Sequence, residues 1–233
     1  MNIALLGYGK MGKAIEKTAV EKGYKIVARI EKKQSNINFN NADIAIEFST
    51  PSGAFENIKQ CIENKIPVIS GTTGWLDNYP QIVELCTKHE GTFLYSSNFS
   101  IGVNIFFEII KKTSKIMSKF KNYSVGIEEI HHTEKKDSPS GTAIKIAEEI
   151  INQTDKTRWI LNHSQRPEDI PIVAKRVDNT TGTHTVLYKS DIDDIEIKHT
   201  AHSREGFVMG VMLASEWILG KKGVFSFRDI LEL

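Results

Sequence analysis

The chain opens MNIALLGYGKMG, a short apolar run that meets glycines at positions 7, 9 and 12. An apolar strand, a GxGxxG turn and an amphipathic stretch in immediate succession constrain the fold more than any average property, because few backbones need all three together. Gly7 suits the tight turn, Gly9 lets the backbone approach a pyrophosphate, and Gly12 permits close helix packing, with the helix N-terminus facing the phosphates. About twenty residues on, at the end of a second apolar run, Glu31 is placed to accept hydrogen bonds from an adenosine ribose. A carboxylate there repels a 2′-phosphate, whereas Lys32 and Lys33 either attract one or form a solvated turn. The reading leans to NADH and leaves NADPH open.

Short apolar runs and longer amphipathic ones continue to alternate through the first hundred residues: IVARI, IAIEF, AFENIKQCIEN, PVIS. This predicts an α/β fold with a parallel sheet covered by helices. STPSG follows Phe48 and GTTG follows Ser70. Both are small-residue loops at strand carboxyl ends, where open α/β sheets bind ligands. From about Ser100 the pattern changes. A helical stretch leads into YSVGIEEI, with HTVLYKS and IEIKHTAH later, which predicts a second, central α+β unit with a mixed or antiparallel sheet. Residues 152–171 read as a polar excursion or loop. GFVMGVMLASEWILG reads as an apolar helix returning to the first unit. The expected division is 1–100 with 205–233, and 101–204.

The 30 basic and 29 acidic residues leave a formal charge of +1. A broad nucleic-acid surface held by phosphate neutralisation is therefore not expected, and any anion site must be local. Cys61 and Cys86 lie in apolar helical patterns without metal-type spacing and read as buried free thiols, in keeping with a reducing cytoplasm. The N-terminus has no basic leader region, and its apolar run is too short for a membrane span.

The segment HHTEKKDSPSGTA, residues 131–143, concentrates the chemistry. A strand should deliver His131 and His132, after which Asp137, Pro139 and Gly141 break regular structure and a helix begins, capped by Ser138 or Ser140. The amides of Gly141 and Thr142 would then be free to bind an anion such as a carboxylate. Lys135 and Lys136 add positive charge, and a histidine beside a lysine offers a titrating acid next to a fixed cation. Taken singly, each residue is more readily structural or solvated. A metal reading, with His131 or His132 joined by His184, His199 or His202 and Glu128 or Glu129, lacks any supporting spacing, so no metal is expected.

GYGKMG, EFSTP, GTTGW, SSNFSIGVN, HHTEKKDSPSGTA, REGFVMGVMLASEW and GVFSFRDIL run in this order over nearly the whole chain. Together they resemble the 4-hydroxy-tetrahydrodipicolinate reductase (dihydrodipicolinate reductase) family of bacterial lysine biosynthesis. The resemblance implies a Rossmann-like domain completed by the C-terminal helix, a central substrate-binding and tetramerisation domain, and a homotetramer. It implies NADH- or NADPH-dependent reduction of a small cyclic dicarboxylate with loss of water. On this chain, His131 matches the family's proton donor/acceptor and Lys135 its proton donor, while His132, Gly141 and Thr142 match substrate contacts. The cofactor contacts match Gly7, Tyr8, Gly9, Lys10, Met11, Gly12, Glu31, Lys32, Gly71, Thr72, Thr73, Ser96, Ser97, Asn98 and Phe99. Two departures stand out: a compact connection between Ile30 and Ala42, and Asp178 where the family's pattern has glycine. Another two-domain NAD(P)-dependent amino-acid dehydrogenase, a non-catalytic dinucleotide sensor and a metallohydrolase are the competing readings.

Overall fold

The computed structural model describes residues 1–31, 34, 36–164, 166–203 and 205–232. They form two compact units, Met1–Ile101 with Glu205–Leu233, and Gly102–Arg204. Among the described residues no helix is long and apolar enough to cross a membrane.

The first unit begins with β1 (Asn2–Leu6), α1 (Lys10–Glu21), β2 (Lys25–Ile30), β3 (Ile44–Glu47), α2 (Pro51–Glu63), β4 (Val68–Ser70), α3 (Tyr79–Lys88) and β5 (Thr92–Tyr95). The second unit carries α4 (Ile101–Met117), β6 (Ser124–His131), α5 (Gly141–Ile151), β7 (Arg158–Leu161), β8 (Asp169–Arg176), β9 (Gly182–Lys189) and β10 (Asp194–Ala201). The chain then returns to the first unit as α6 (Glu205–Ile218), β11 (Gly223–Ser226) and α7 (Phe227–Ile230).

The first sheet has the order β11-β5-β4-β3-β1-β2 with every pair parallel. β1 lies between β2 and β3, so the chain changes direction across the sheet at its carboxyl end, the switch point where such sheets bind ligands. Helices cover both faces, which explains why β1 reads as an unbroken apolar run rather than an alternating one. Ala4 and Leu6 join one core cluster, and Ile3 and Leu5 the other. α1 buries Gly12, Ile15 and Ala19, one helical face at i, i+3 and i+7. α6 shares that layer through Val208, Val211, Met212 and Ile218. Its Gly210 is required sterically, because a Cβ there would lie 1.7 Å from the Phe99 carbonyl oxygen.

Among its described residues, the compact connection after β2 has no helix of its own. Ile37, Phe39 and Ala42 are buried in the first core cluster, and the Ile37 amide donates to Gln60 Oε1 at 2.9 Å.

The second sheet, β10-β9-β6-β8-β7, is mixed: β6 pairs antiparallel with β9 and parallel with β8. α4 and α5 cover one face, with Phe106, Phe107 and Ile110 meeting Ile146, Ile150, Ile127, Ile172 and Val186. Residues 152–171, expected as a loop, contain β7 and the start of β8. The signal was weak because β7 is a four-residue edge strand whose Trp159 and Ile160 are only half-buried.

Candidate active site

In the first unit, three loops are stitched to neighbouring strand ends by backbone hydrogen bonds: Gly7 N to Ile30 O (2.8 Å), Gly71 N to Glu47 O (3.0 Å) and Ser96 N to Ser70 O (3.2 Å). Most sequence-predicted cofactor residues thus lie along one carboxyl edge. Gly7 has φ +97°, and a Cβ there would meet the Phe48 carbonyl oxygen at 2.0 Å. A Cβ on Gly12 would lie 2.4 Å from Gly7 O, which allows α1 to start against the turn. Gly9 is the N-cap of α1 without a side-chain cap, and a Cβ on it would meet nothing within 4 Å. An uncapped helix start beside open space fits a pyrophosphate.

Lys10 and Glu31 are exposed, and Met11 is half-buried. Lys32 lies outside the described residues. Tyr8 donates from its hydroxyl to Glu16, which also holds Arg29. These bonds, the guanidinium first, hold the Glu16 carboxyl down at about 2.

Not every predicted contact points outward. Phe99 is 2% exposed, its ring 5.7 Å from that of Phe48 and 5.5 Å from that of Phe227, so its side chain supports the loop from within the core. Thr72 is buried, while Thr73 and Ser97 are exposed. Gly71 lies where a Cβ would strike the Phe48 ring at 2.2 Å. The Ser96 hydroxyl donates to Asn98 O, and Asn98 Oδ1 accepts from Ser100 N. Sequence reasoning overlooked Glu47, which is fully buried at the end of β3. Its carboxylate accepts from Ser70 Oγ (2.6 Å), Thr72 Oγ1 (2.9 Å), Ser49 N (3.0 Å) and Ser49 Oγ, tying the STPSG and GTTG loops together. Burial raises its pKa.

In the second unit, strand alternation decides which side chains turn inward. β6 buries Val125, Ile127, Glu129 and His131 on its helix-covered face. The register sets His184 of β9 opposite Glu129, and Arg176 of β8 opposite His131. The Glu129 carboxylate accepts from Ser140 N (3.0 and 3.1 Å) and from Arg176 Nη1 (3.3 Å) and Nη2 (3.4 Å). Its Oε2 lies 3.5 Å from His131 Nδ1 and 3.8 Å from His184 Nε2. Ser140, rather than Ser138, caps α5: its hydroxyl accepts from Ala143 N at 3.1 Å and lies 3.2 Å from His184 Nε2.

Arg176 also donates from Nε to the Lys135 carbonyl (3.3 Å) and from Nη2 to the Asp137 carbonyl (2.6 Å). It therefore straps the loop bearing Lys135 to the sheet. Lys135 is half-buried, and His132 turns to the less buried side of the strand end. Gly141 is exposed at the start of α5, where a Cβ would meet nothing within 4 Å, and Thr142 is half-buried beside it. As first-turn residues, they offer amides without intrahelical acceptors. Burial lowers the His131 pKa, against the opposing field of Glu129. Burial pushes His184 down to about 3.

Glu129, His131 and His184 lie within 4.8 Å of one another, a group able to hold a metal ion. The carboxylate is already taken by a backbone amide and a guanidinium, so the cation it faces is Arg176. Asp178 causes no strain as a substitute for glycine. The left-handed residue of that turn is Asn179 (φ 60°), and Asp178 accepts from Thr133 Oγ1 at 2.6 Å.

A parallel sheet with a glycine turn at its switch point, joined to a mixed-sheet unit holding a lysine, imidazoles and a helix start, defines a two-unit oxidoreductase that uses a nicotinamide nucleotide. The family described as Dihydrodipicolinate reductase, N-terminus matches residues 1–99, and Dihydrodipicolinate reductase, C-terminus matches residues 102–231. The chain is 50% identical to the 4-hydroxy-tetrahydrodipicolinate reductase of Christiangramia forsetii, over 99% of this chain and 98% of the relative. The chain belongs to the dihydrodipicolinate reductase family.

A dipicolinate-bound dihydrodipicolinate reductase from Paenisporosarcina sp. TG-14 shares the fold at a TM-score of 0.79, with 22% identity and 99% of each chain covered. Aspartate dehydrogenase from Thermotoga maritima shares it more loosely, at a TM-score of 0.50 and 15% identity over 95% of this chain and 97% of the other. The fold is therefore common to the competing dehydrogenase reading, and the sequence relatives separate the two.

Proposed function

We propose that this protein reduces 4-hydroxy-tetrahydrodipicolinate to tetrahydrodipicolinate with loss of water, in lysine and diaminopimelate biosynthesis. The observation that carries the reading is the arrangement in the second unit: Lys135, His131 and the α5 start are all tied to one buried Glu129–Arg176 pair. The 50% identical, full-length relative supports it.

The bound nicotinamide nucleotide supplies the hydride. Gly7, Gly9 and Gly12 admit its pyrophosphate against the N-terminus of α1, and Glu31 accepts from the adenosine ribose. The other predicted contacts act along the same edge: Tyr8, Lys10 and Met11 in the first turn, Gly71, Thr72 and Thr73 after β4, and Ser96, Ser97, Asn98 and Phe99 after β5. The amides of Gly141 and Thr142, with His132, hold a substrate carboxylate and fix the ring. Lys135 stabilises negative charge developing on the reduced ring and donates the proton, with His131 as the proton donor/acceptor beside it. Glu31 favours NADH over NADPH, because a carboxylate repels a 2′-phosphate. We further assign a cytoplasmic homotetramer. Its support is membership of the family, for which the resemblance implies a homotetramer, together with two buried free thiols, Cys61 and Cys86.

The deciding experiment is NADH and NADPH oxidation by the purified protein on substrate formed in situ from pyruvate and aspartate semialdehyde by the preceding synthase. Synthase-dependent oxidation is expected, faster with NADH. Cofactor binding without oxidation would replace this reading with the sensor.

A further inference from the structure

Glu129 makes no contact that the proposed chemistry requires directly, yet the helix start, the Lys135 loop and the His131 imidazole of the proposed site in the second unit all adjoin it or its partner Arg176. Its carboxylate holds the Ser140 amide and so sets where α5 begins, which aims the amides of Gly141 and Thr142. Through Arg176 it holds the carbonyls of Lys135 and Asp137, which sets the path of the loop. It is also the carboxylate 3.5 Å from His131 Nδ1, a buried atom with no hydrogen-bond partner among the described residues. Gly182 completes the arrangement on the other side of the ring, where a Cβ would come within 3.1 Å of His131 Nε2. A buried carboxylate is costly to hold unless it is paired and hydrogen-bonded, and Glu129 at 0% exposure is both.

We propose that Glu129 and Arg176 are positioning residues that register the proton-donating loop, the His131 imidazole and the anion-binding helix start to one another. The proposal rests on the functional reading above, since it assigns to those three elements a shared task. The charged and titratable groups facing His131 are Glu129 on its own strand, Lys135 and Asp137 on the following loop, Arg176 on β8 and His184 on β9, whose ring centroid is 5.0 Å away. Glu129 favours the imidazolium form, whereas Lys135 and Arg176 oppose it. Removing the acid or the base of the pair should therefore move His131 in opposite directions while harming turnover in the same direction. A general loss of packing does not predict that combination.

The test compares wild type with Glu129→Gln and Arg176→Met. It reads kcat and KM in the synthase-coupled assay, the NADH Kd by fluorescence without substrate, and the His131 titration by NMR of protein labelled with 13C at histidine Cε1. Both variants should lose roughly ten- to hundredfold in kcat, the rate equivalent of about one charge-assisted hydrogen bond. NADH Kd should stay unchanged. The His131 midpoint should fall in Glu129→Gln and rise in Arg176→Met. Glu129→Asp and Arg176→Lys, which keep the charges and shorten the reach, should lose kcat with the midpoint held; they also serve where a neutral variant does not fold. Wild-type kcat in Glu129→Gln overturns the proposal, as does a kcat loss matched by an equal loss of NADH affinity. Should wild type bind NADH but never oxidise it on substrate, the functional reading fails, and the opposed NMR midpoints alone decide whether the network stands.

Discussion

Lys135 Nζ lies 2.8 Å from each carboxylate oxygen of Asp137, with the lysine side chain 21% exposed and the aspartate side chain 60% exposed. The pair holds the Asp137 carboxyl below its ordinary range, chiefly through the ammonium hydrogen bond. The lysine is the more enclosed partner, so the ammonium is held in place while one side of its carboxylate remains open to solvent. Lys135→Ala should lower turnover by about 10²- to 10⁴-fold, the usual contribution of a positioned proton donor, and leave the NADH Kd unchanged. Steady-state rates together with a fluorescence titration check both halves, and near-normal turnover would remove Lys135 from the role.

Glu31 follows β2 directly and is exposed at the carboxyl edge of the first sheet. Glu31→Ala should weaken NADH by roughly tenfold, near the lower end for a charged hydrogen bond, and weaken NADPH less. Parallel Kd measurements decide the point. Equal losses for the two nucleotides would mean that Glu31 does not sit on the ribose.

Gly210 brings α6 against the backbone of the loop after β5, and a Cβ there would also lie 2.9 Å from the Phe99 carbonyl carbon. Backbone cannot yield as a flexible side-chain tip does. Gly210→Ala should cost about 1–3 kcal/mol or more and lower Tm by several degrees. Gly141→Ala meets open space and serves as the control for stability. A Gly210→Ala protein with wild-type Tm would show that α6 can shift without cost.

His184 carries a stability prediction with a definite sign. Burial, followed by the fields of His131, His199 and Lys135, pushes it down to about 3 from an ordinary 6.5. Between those values the unfolded chain binds a proton that the folded chain refuses, so stability rises with pH across the window and is lost as pH falls through it. His184→Gln should flatten the dependence by up to one proton, about 1.4 kcal/mol per pH unit. Urea denaturation of both proteins from pH 4 to pH 7 measures the slope, and an unaltered slope would assign the dependence to another group.

Much of this was legible before any coordinates. The GxGxxG turn, the parallel alternation and the returning apolar helix are local patterns. Ser140 as a cap could be narrowed to two residues because capping is a short-range event. Other features were not readable. Phe99 matched the family's cofactor contacts, and only the fold revealed that its ring packs between Phe48 and Phe227. β7 was missed because an edge strand with one neighbour need not alternate cleanly. Glu47 was read only as part of a strand, although the hydroxyls it gathers lie up to 25 positions away.

The sequence by itself determined the elements and their order, and it named the residues with chemistry to offer, since propensity, periodicity and capping act within a few positions. Only the tertiary structure decided which of those residues work together. Glu129 meets Ser140 from 11 positions away and Arg176 from 47, and it faces His184 because β9 pairs with β6 in one register. A one-residue slip would turn His184 to the opposite face of the sheet, and no local pattern records that choice.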